Sequence, residues 1–109
     1  MIEYMDINDF LEAGKVLPMA DTRSPSEYLQ GHIPCAVSFP LFNDEERRDV
    51  GTLYKQRGRQ NAIFRGFEII GAKYSALLDQ GLKLSGDGKI LLYCWRGGMR
   101  SSTLAWLLS

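Results

Sequence analysis

Residues 89–102 read KILLYCWRGGMRSS, and this stretch decides the fold. After its first lysine the segment is continuously apolar up to Tyr93, which is typical of a strand buried on both faces of a sheet. A loop with two adjacent glycines follows, and helical character resumes from Ser101 to Leu108. A buried strand that leads through a loop into a helix predicts a parallel α/β architecture.

The amino-terminal third repeats this alternation. Asp6 is placed to cap a short helix that Gly14 ends, and residues 16–21 read as a strand. Proline cannot donate to a sheet ladder, so Pro18 is expected to delay regular pairing to Met19.

The next helix carries a stronger signal. Ser24 and Glu27 form a capping box with Pro25 at the first helical position, and Gly31 stands where the helix should end. A second short strand is predicted over residues 36–39, because prolines bracket it. These segments add a second helix and strand to the alternation.

The middle of the chain is less regular. Asn43 or Asp44 can cap a helical turn through Asp49, and residues 51–58 read as a surface loop because they lack a clear apolar period. Over residues 60–80 an amphipathic helix is predicted, because apolar side chains recur every three or four residues. Those positions are Ile63, Phe67, Ile70, Tyr74, Leu77 and Leu78.

Glycines are expected to limit this long helix. Gly81 should terminate it, and a break near Gly66 or Gly71 is an alternative, since each glycine costs about 1 kcal/mol relative to alanine. The fold class predicted for residues 1–109 is a single α/β domain whose short parallel sheet has helices on both faces.

Composition excludes several classes of protein. The chain has 109 residues, a length that is sufficient for one hydrophobic core. Its 13 Lys plus Arg balance its 13 Asp plus Glu, so the net charge gives no overall attraction to nucleic acid. Its apolar runs fall short of the roughly 20 residues that a membrane span needs. The amino terminus lacks the pattern of a signal peptide, so a cytoplasmic location is expected.

The two cysteines are too few for a disulfide framework and lack zinc-site spacing, so no metal is predicted. Cys94 ends the buried strand, and ligands of parallel sheets bind beyond the carboxyl ends of strands. Backbone N–H groups of the following loop can converge on an anion there, because Gly97 and Gly98 tolerate positive φ. A helix start with Arg96 and Arg100 nearby favours a thiolate, so Cys94 is predicted to be nucleophilic.

These residues resemble a known family. The segments 21–28 (DTRSPSEY), 31–34 (GHIP) and the loop from Cys94 to Arg100 resemble a rhodanese-like sulfurtransferase domain. Segments 40–47 (PLFNDEER), 50–58 (VGTLYKQRG) and 94–101 (CWRGGMRS) look like the amino-terminal domain of bacterial tRNA 2-selenouridine synthases. The resemblance covers nearly the whole chain.

The resemblance implies that Cys94 carries sulfur or selenium as a persulfide or perselenide. It implies an enzyme that replaces sulfur by selenium at the wobble 2-thiouridine of tRNA, with selenophosphate as donor and no cofactor in this domain. An anionic terminal chalcogen would be stabilised by the anion-binding loop. That loop comprises Trp95, Arg96, Gly97, Gly98, Met99 and Arg100.

Other residues keep two interpretations each. Asp21 and Arg23 follow the first strand and either support the site or form a structural ion pair. His32 is a candidate base for Cys94, although its turn favours a bond to the backbone. Cys35 stands where rhodanese-like proteins usually have glycine. Its two interpretations are a packing residue and a resolving thiol. Trp95 either packs against the protein, stacks on a base or gates the site.

The charge distribution and the resemblance together indicate tRNA as a binding partner. Residues 47–65 have a net charge of +5, because Asp49 is their only acidic residue. Their six cations are Arg47, Arg48, Lys55, Arg57, Arg59 and Arg65. Lys55, Arg57 and Arg59 are the preferred contacts with the tRNA backbone. The alternative interpretation of this stretch is a solvated surface.

Two other functions remain open. Cys94 and Arg100 have the spacing of a cysteine phosphatase loop, although no residue stands out as the acid for the leaving group. A catalytically idle module that binds an anion or RNA is the other alternative. The family continues with more of the fold and a P-loop domain, whereas this sequence has no G-x-x-x-x-G-K-[ST] motif and ends at Ser109. A truncated chain that self-associates is therefore expected.

Overall fold

A computed structural model describes residues 2–86, 88–94 and 98–109. Short strands alternate with helices along these residues. The elements are α1 Ile7–Ala13, β1 Met19–Asp21, α2 Pro25–Gln30, β2 Val37–Ser38, α3 Asp44–Arg57, α4 Arg59–Ala72, α5 Tyr74–Ser85, β3 Leu91–Tyr93 and α6 Met99–Leu108. None of the described helices is both long and apolar enough to cross a membrane.

The three described strands form a parallel sheet in the order β2-β1-β3. In the register, Ala20 of β1 stands opposite Val37 on one side and Leu92 on the other. Just past β1, Thr22 donates from its backbone N–H (2.9 Å) and from its hydroxyl (3.0 Å) to the Tyr93 carbonyl. The carboxyl ends of β1 and β3 therefore meet at one edge, as the sequence predicts.

Both faces of the sheet are covered, because successive strand residues point to opposite sides. Ala20 belongs to the main core, together with Phe39 and Leu104 among others. Met19 belongs to a smaller cluster on the other face, against which Phe10 of α1 packs. The predicted α/β class with helices on both faces is confirmed.

Capping explains where the two short helices begin. Asp6 accepts a hydrogen bond from the backbone N–H of Asp9 at 2.9 Å, so α1 starts at the predicted place. At α2, Glu27 accepts from the backbone N–H of Ser24 at 3.1 Å and from its hydroxyl at 2.9 Å. The predicted capping box is confirmed.

The predicted loop over residues 51–58 is wrong, because α3 continues through it to Arg57. Asn43 and Glu46 exchange hydrogen bonds of 2.8 Å at its start, with acidic residues in the first turn and basic residues in the last. An ion pair of 2.8 Å also joins Asp49 to Arg65 of α4. Helix α3 is stabilised by its capping box and by charged side chains. A search for apolar periodicity therefore does not predict a helix over residues 51–57.

The long amphipathic helix is divided, and its predicted end is wrong. The break lies at Lys73, whose φ of −127° and ψ of 19° are not helical, so the alternative of a break near Gly71 is confirmed. Gly81 lies inside α5, which continues to Ser85. A Cβ at position 81 would lie 2.5 Å from a Leu108 methyl group, so this glycine allows α5 and α6 to approach closely.

Candidate active site

Cys94 lies immediately after β3, at the edge where the carboxyl ends of the strands meet. Its side chain is a half-buried free thiol, and its Sγ is 3.4 Å from the hydroxyl oxygen of Ser101 in the first turn of α6. The same hydroxyl donates to the Gly98 carbonyl at 3.1 Å, which fixes it beside the sulfur. The thiol therefore lies at the amino-terminal end of a helix, where unpaired N–H groups and the helix dipole favour an anion.

The loop residues Trp95, Arg96 and Gly97 lie outside the described residues. Gly98 has a positive φ of 71°, the left-handed conformation that the glycine-rich loop predicts. The first helical hydrogen bond runs from the Ser102 N–H to the Gly98 carbonyl at 2.8 Å. Helix α6 therefore begins at Met99, two residues earlier than the sequence pattern indicates.

Arg100, the last residue of the predicted loop motif, binds a carboxylate of the protein itself. Its two terminal nitrogens contact the carboxylate oxygens of Glu27, one at 2.6 Å and the other at 3.4 Å. Arg47 of α3 binds the same carboxylate, with its Nε 3.0 Å from Oε1. Glu27 thus joins α2, α3 and the first turn of α6, in which Ser101 contacts the Cys94 sulfur.

This carboxylate remains charged down to low pH. Burial acts to raise the pKa of Glu27, but hydrogen bonds from Arg100 and Ser24 outweigh it and lower the pKa to about 2. Sequence analysis identified Glu27 only as a capping residue. Its partner Arg100 is 73 positions away, and the fold alone brings the two together.

Asp21 and Arg23 form a bidentate ion pair at the end of β1. The Arg23 Nη2 lies 2.7 Å from Asp21 Oδ2, and its Nε lies 3.0 Å from both carboxylate oxygens. Asp21 is fully buried, and Arg23 also donates to the Gly31 carbonyl at 2.6 Å. The hydrogen bonds with Asp21 raise the pKa of Arg23, and the pair ties β1 to the turn after α2.

An open groove of about 1060 Å³ runs along β3 and reaches Cys94. Arg23 and His32 line it together with the cysteine, so the structure brings these three predicted residues to one cavity. Ser101 and Ser102 line it from α6. In the described part of the chain, no three His, Cys, Asp or Glu side chains are grouped closely enough to bind a metal.

His32 and Cys35 are each held by local contacts. The His32 Nδ1 lies 2.8 Å from the Tyr28 carbonyl, and its ring stacks on that of Tyr28 with centroids 3.6 Å apart. This is the backbone contact that the sequence favours. Cys35 is an exposed free thiol whose sulfur lies 3.9 Å from that of Met19, and its role stays a prediction.

The candidate RNA contacts lie away from the groove. Lys55 and Arg57 occupy the last turn of α3, Arg59 begins α4, and all three are exposed. Gly58 joins the two helices with a φ of 88°, a conformation that favours glycine. The three cations therefore surround the connection between α3 and α4.

The profile of the rhodanese-like domain matches residues 5–109, and the chain belongs to this family. A parallel sheet with a cysteine at the carboxyl end of a strand and at the start of a helix agrees with that assignment. The chain is also similar to the crystal structure of the N-terminal domain of a Clostridium difficile 630 protein described as ATP/GTP binding. That match has a TM-score of 0.85 and 35% identity, and it covers 97% of this chain and 82% of the other.

Curated relatives named tRNA 2-selenouridine synthase are similar over most of the chain. The protein from Aeromonas salmonicida is 45% identical over 94 residues, which is 84% of this chain and 25% of the relative. The protein from Shewanella oneidensis is 41% identical over 110 residues, which is 98% of this chain and 29% of the relative. The chain thus spans about a quarter of the length of these relatives.

Proposed function

We propose that Cys94 carries a sulfur or selenium atom as a persulfide or perselenide. The observation that carries this proposal is the position of the thiol, half-buried at the start of α6 and open to a groove. A terminal chalcogen on this sulfur would be anionic, and the first N–H groups of α6 would stabilise it. The names of the relatives support tRNA as the substrate and 2-selenouridine as the product. Wobble 2-thiouridine is the proposed acceptor, as the resemblance implies.

Loading of Cys94 can be written for thiosulfate, the simplest donor. The Cys94 thiolate attacks the outer sulfur, a new S–S bond forms, and the S–S bond of thiosulfate breaks. Sulfite leaves with the electron pair of the broken bond, so no external oxidant or reductant is needed. Selenophosphate is the proposed selenium donor, as the resemblance implies. Attack of the Cys94 thiolate on its selenium would form an S–Se bond and break the P–Se bond, and the electron pair of the broken bond would leave with phosphorus as phosphite.

The loading experiment uses intact-protein mass spectrometry after incubation with thiosulfate or selenophosphate. We expect wild-type protein to gain one sulfur or one selenium, Cys35→Ser to gain the same, and Cys94→Ser to gain nothing. A wild-type mass that stays unchanged with both donors would contradict chalcogen transfer. That result, without phosphatase activity, would favour the idle binding module.

The phosphatase alternative is disfavoured by the position of Arg100. In such a loop the arginine must clamp the phosphoryl group, whereas both terminal nitrogens of Arg100 bind Glu27. We therefore expect no turnover of p-nitrophenyl phosphate.

We propose that tRNA binds through Lys55, Arg57 and Arg59, in the cytoplasm where tRNA is modified. The chain would act beside the P-loop domain that the resemblance implies. Because the three exposed cations would contact phosphates, replacing all three by glutamate should lower tRNA affinity about tenfold or more and reduce its salt dependence. A filter-binding titration over several salt concentrations measures both effects.

The matched control reverses two cations elsewhere, Lys15→Glu with Lys83→Glu, which lie in exposed ion pairs outside α3 and α4. The control should lose much less affinity than the triple variant. Equal losses per reversed cation in the two variants would show that tRNA responds to net charge and not to this surface.

A further inference from the structure

One side of α3 forms a continuous exposed surface. Arg47, Gly51, Tyr54 and Lys55 are four, seven and eight positions apart, so they lie on the same side of the helix. All four are exposed, and Tyr54 keeps 57% of its residue surface accessible. We call this set the α3 face.

We propose that the α3 face binds a single-stranded segment of RNA, with Tyr54 stacked on an unpaired base. This inference rests on the proposed function, because it takes tRNA as the substrate, and it names the part of the RNA that the surface recognises. Base stacking on an aromatic ring requires an unstacked base, which loops provide and duplexes do not.

The α3 face begins beside the active site. Arg47, at its start, binds the Glu27 carboxylate that also holds Arg100 in the first turn of α6. The next residue of that turn, Ser101, contacts the Cys94 sulfur. From Arg47 to the end of α3 the helix rises about 15 Å, so RNA on this face would extend outward from the vicinity of Cys94.

The charge along this surface suits a polyanion. Residues 50–67 contain no Asp or Glu. Of their four cations, Arg65 is paired with Asp49, and the other three are exposed around the end of α3. The exposed aromatic ring of Tyr54 thus lies among cations that can bind phosphates on either side of a stacked base.

Gly51 leaves room for a ligand on the α3 face. A glycine inside a helix is destabilising, and here no heavy atom lies within 4 Å of where a Cβ would stand. Packing within the domain therefore does not require glycine at this position. A missing side chain next to Tyr54 would instead allow a ligand backbone to approach the helix closely.

Gly71 provides a matched control for Gly51. It is also an exposed glycine within a helix, and a Cβ there would meet no atom within 4 Å. It belongs to α4 and not to the α3 face. Alanine at either position should stabilise its helix, so the two variants differ in their expected effect on RNA and not on folding.

The experiment measures binding of the full chain to a fluorescent stem-loop RNA and to a blunt duplex of the same stem, together with thermal melting. We expect Tyr54→Ala to bind the stem-loop about tenfold more weakly, and Tyr54→Phe to bind it nearly normally. Gly51→Ala should melt at a higher temperature and yet bind the stem-loop more weakly. Gly71→Ala should also melt higher and bind the stem-loop as wild type does.

The proposal is overturned if Tyr54→Ala binds the stem-loop as tightly as wild type, or if Gly51→Ala and Gly71→Ala change affinity equally. It is also overturned if wild-type protein binds the duplex as tightly as the stem-loop. Chalcogen loading of wild-type Cys94 is measured separately without RNA. Its failure would contradict the proposed function, whereas a failure of stem-loop recognition with normal loading would contradict only the role of the α3 face.

Discussion

Glu27 shows how one residue can serve both the fold and the site. The same carboxylate caps α2, binds Arg47 of α3 and holds Arg100 at the start of α6. Breaking a largely buried ion pair leaves a charge without its partner, which is usually more costly than losing an exposed one. We therefore expect Glu27 to contribute both to stability and to the position of the first turn of α6 beside Cys94.

This contribution should depend on pH in a defined direction. The pKa of Glu27 is lowered to about 2 from an ordinary value of 4.5, so its stabilisation is complete above pH 4.5 and is lost as pH falls toward 2. Urea unfolding should show that Glu27→Gln is less stable than wild type at pH 7, by on the order of 2 kcal/mol. The two proteins should converge near pH 2.

Glu12→Gln is the control, because Glu12 forms an exposed ion pair with Lys15 that should contribute little. A difference between Glu27→Gln and wild type that stays constant from pH 7 to pH 2 would contradict the linkage to the ionised carboxylate.

At the scale of elements, α5 and α6 pack closely because Gly81 has no side chain. A Cβ at position 81 would lie 2.5 Å and 3.1 Å from the two methyl carbons of Leu108. Alanine could be accommodated by a small movement of Leu108, but valine adds branched bulk that must separate the helices. Gly81→Val should lower the free energy of unfolding by about 1–3 kcal/mol.

Gly71→Val tests whether the effect comes from packing, because position 71 opens to solvent. We expect its free energy of unfolding to stay within about 0.5 kcal/mol of wild type. Equal destabilisation by both valines would assign the effect to the helix backbone rather than to the contact between α5 and α6.

The elements also show how far the sequence predicts this molecule. Local signals were sufficient to place α1, α2, β1, β3 and, within two residues of its start, α6, because caps, glycines and apolar runs act within a few residues. They failed for α3, which is polar and is stabilised by capping and by ion pairs with α4. They failed again at Gly81, where the reason for the glycine is Leu108 on another helix. Arg100 was predicted as part of the site, but its bond to Glu27 depends on tertiary structure.

At the scale of the whole molecule, β3 has β1 on one side and, in the part of the chain that the structure describes, no strand on the other. Side chains of Ile2, Tyr4, Met5, Ile90 and Leu92 line the groove along this open edge. Unpaired strand edges and apolar surface favour association with another chain. We propose that two copies of the chain cover this edge for each other.

Size-exclusion chromatography with light scattering should then give a mass that rises from monomer to dimer with concentration. Met5→Lys, which places a charge on the exposed lining of this edge, should shift the equilibrium toward monomer. A clean monomer at high concentration of the wild-type chain would contradict self-association.

The most direct test of the central claim is whether sulfur placed on Cys94 can be transferred again. Protein treated with thiosulfate is digested before and after exposure to cyanide, and the Cys94 and Cys35 peptides are compared by mass spectrometry. We predict one added sulfur on the Cys94 peptide, none on the Cys35 peptide, and complete loss of that sulfur to cyanide as thiocyanate. A Cys94 peptide that never gains sulfur, or one whose added sulfur resists cyanide, would contradict a chalcogen carrier at this position.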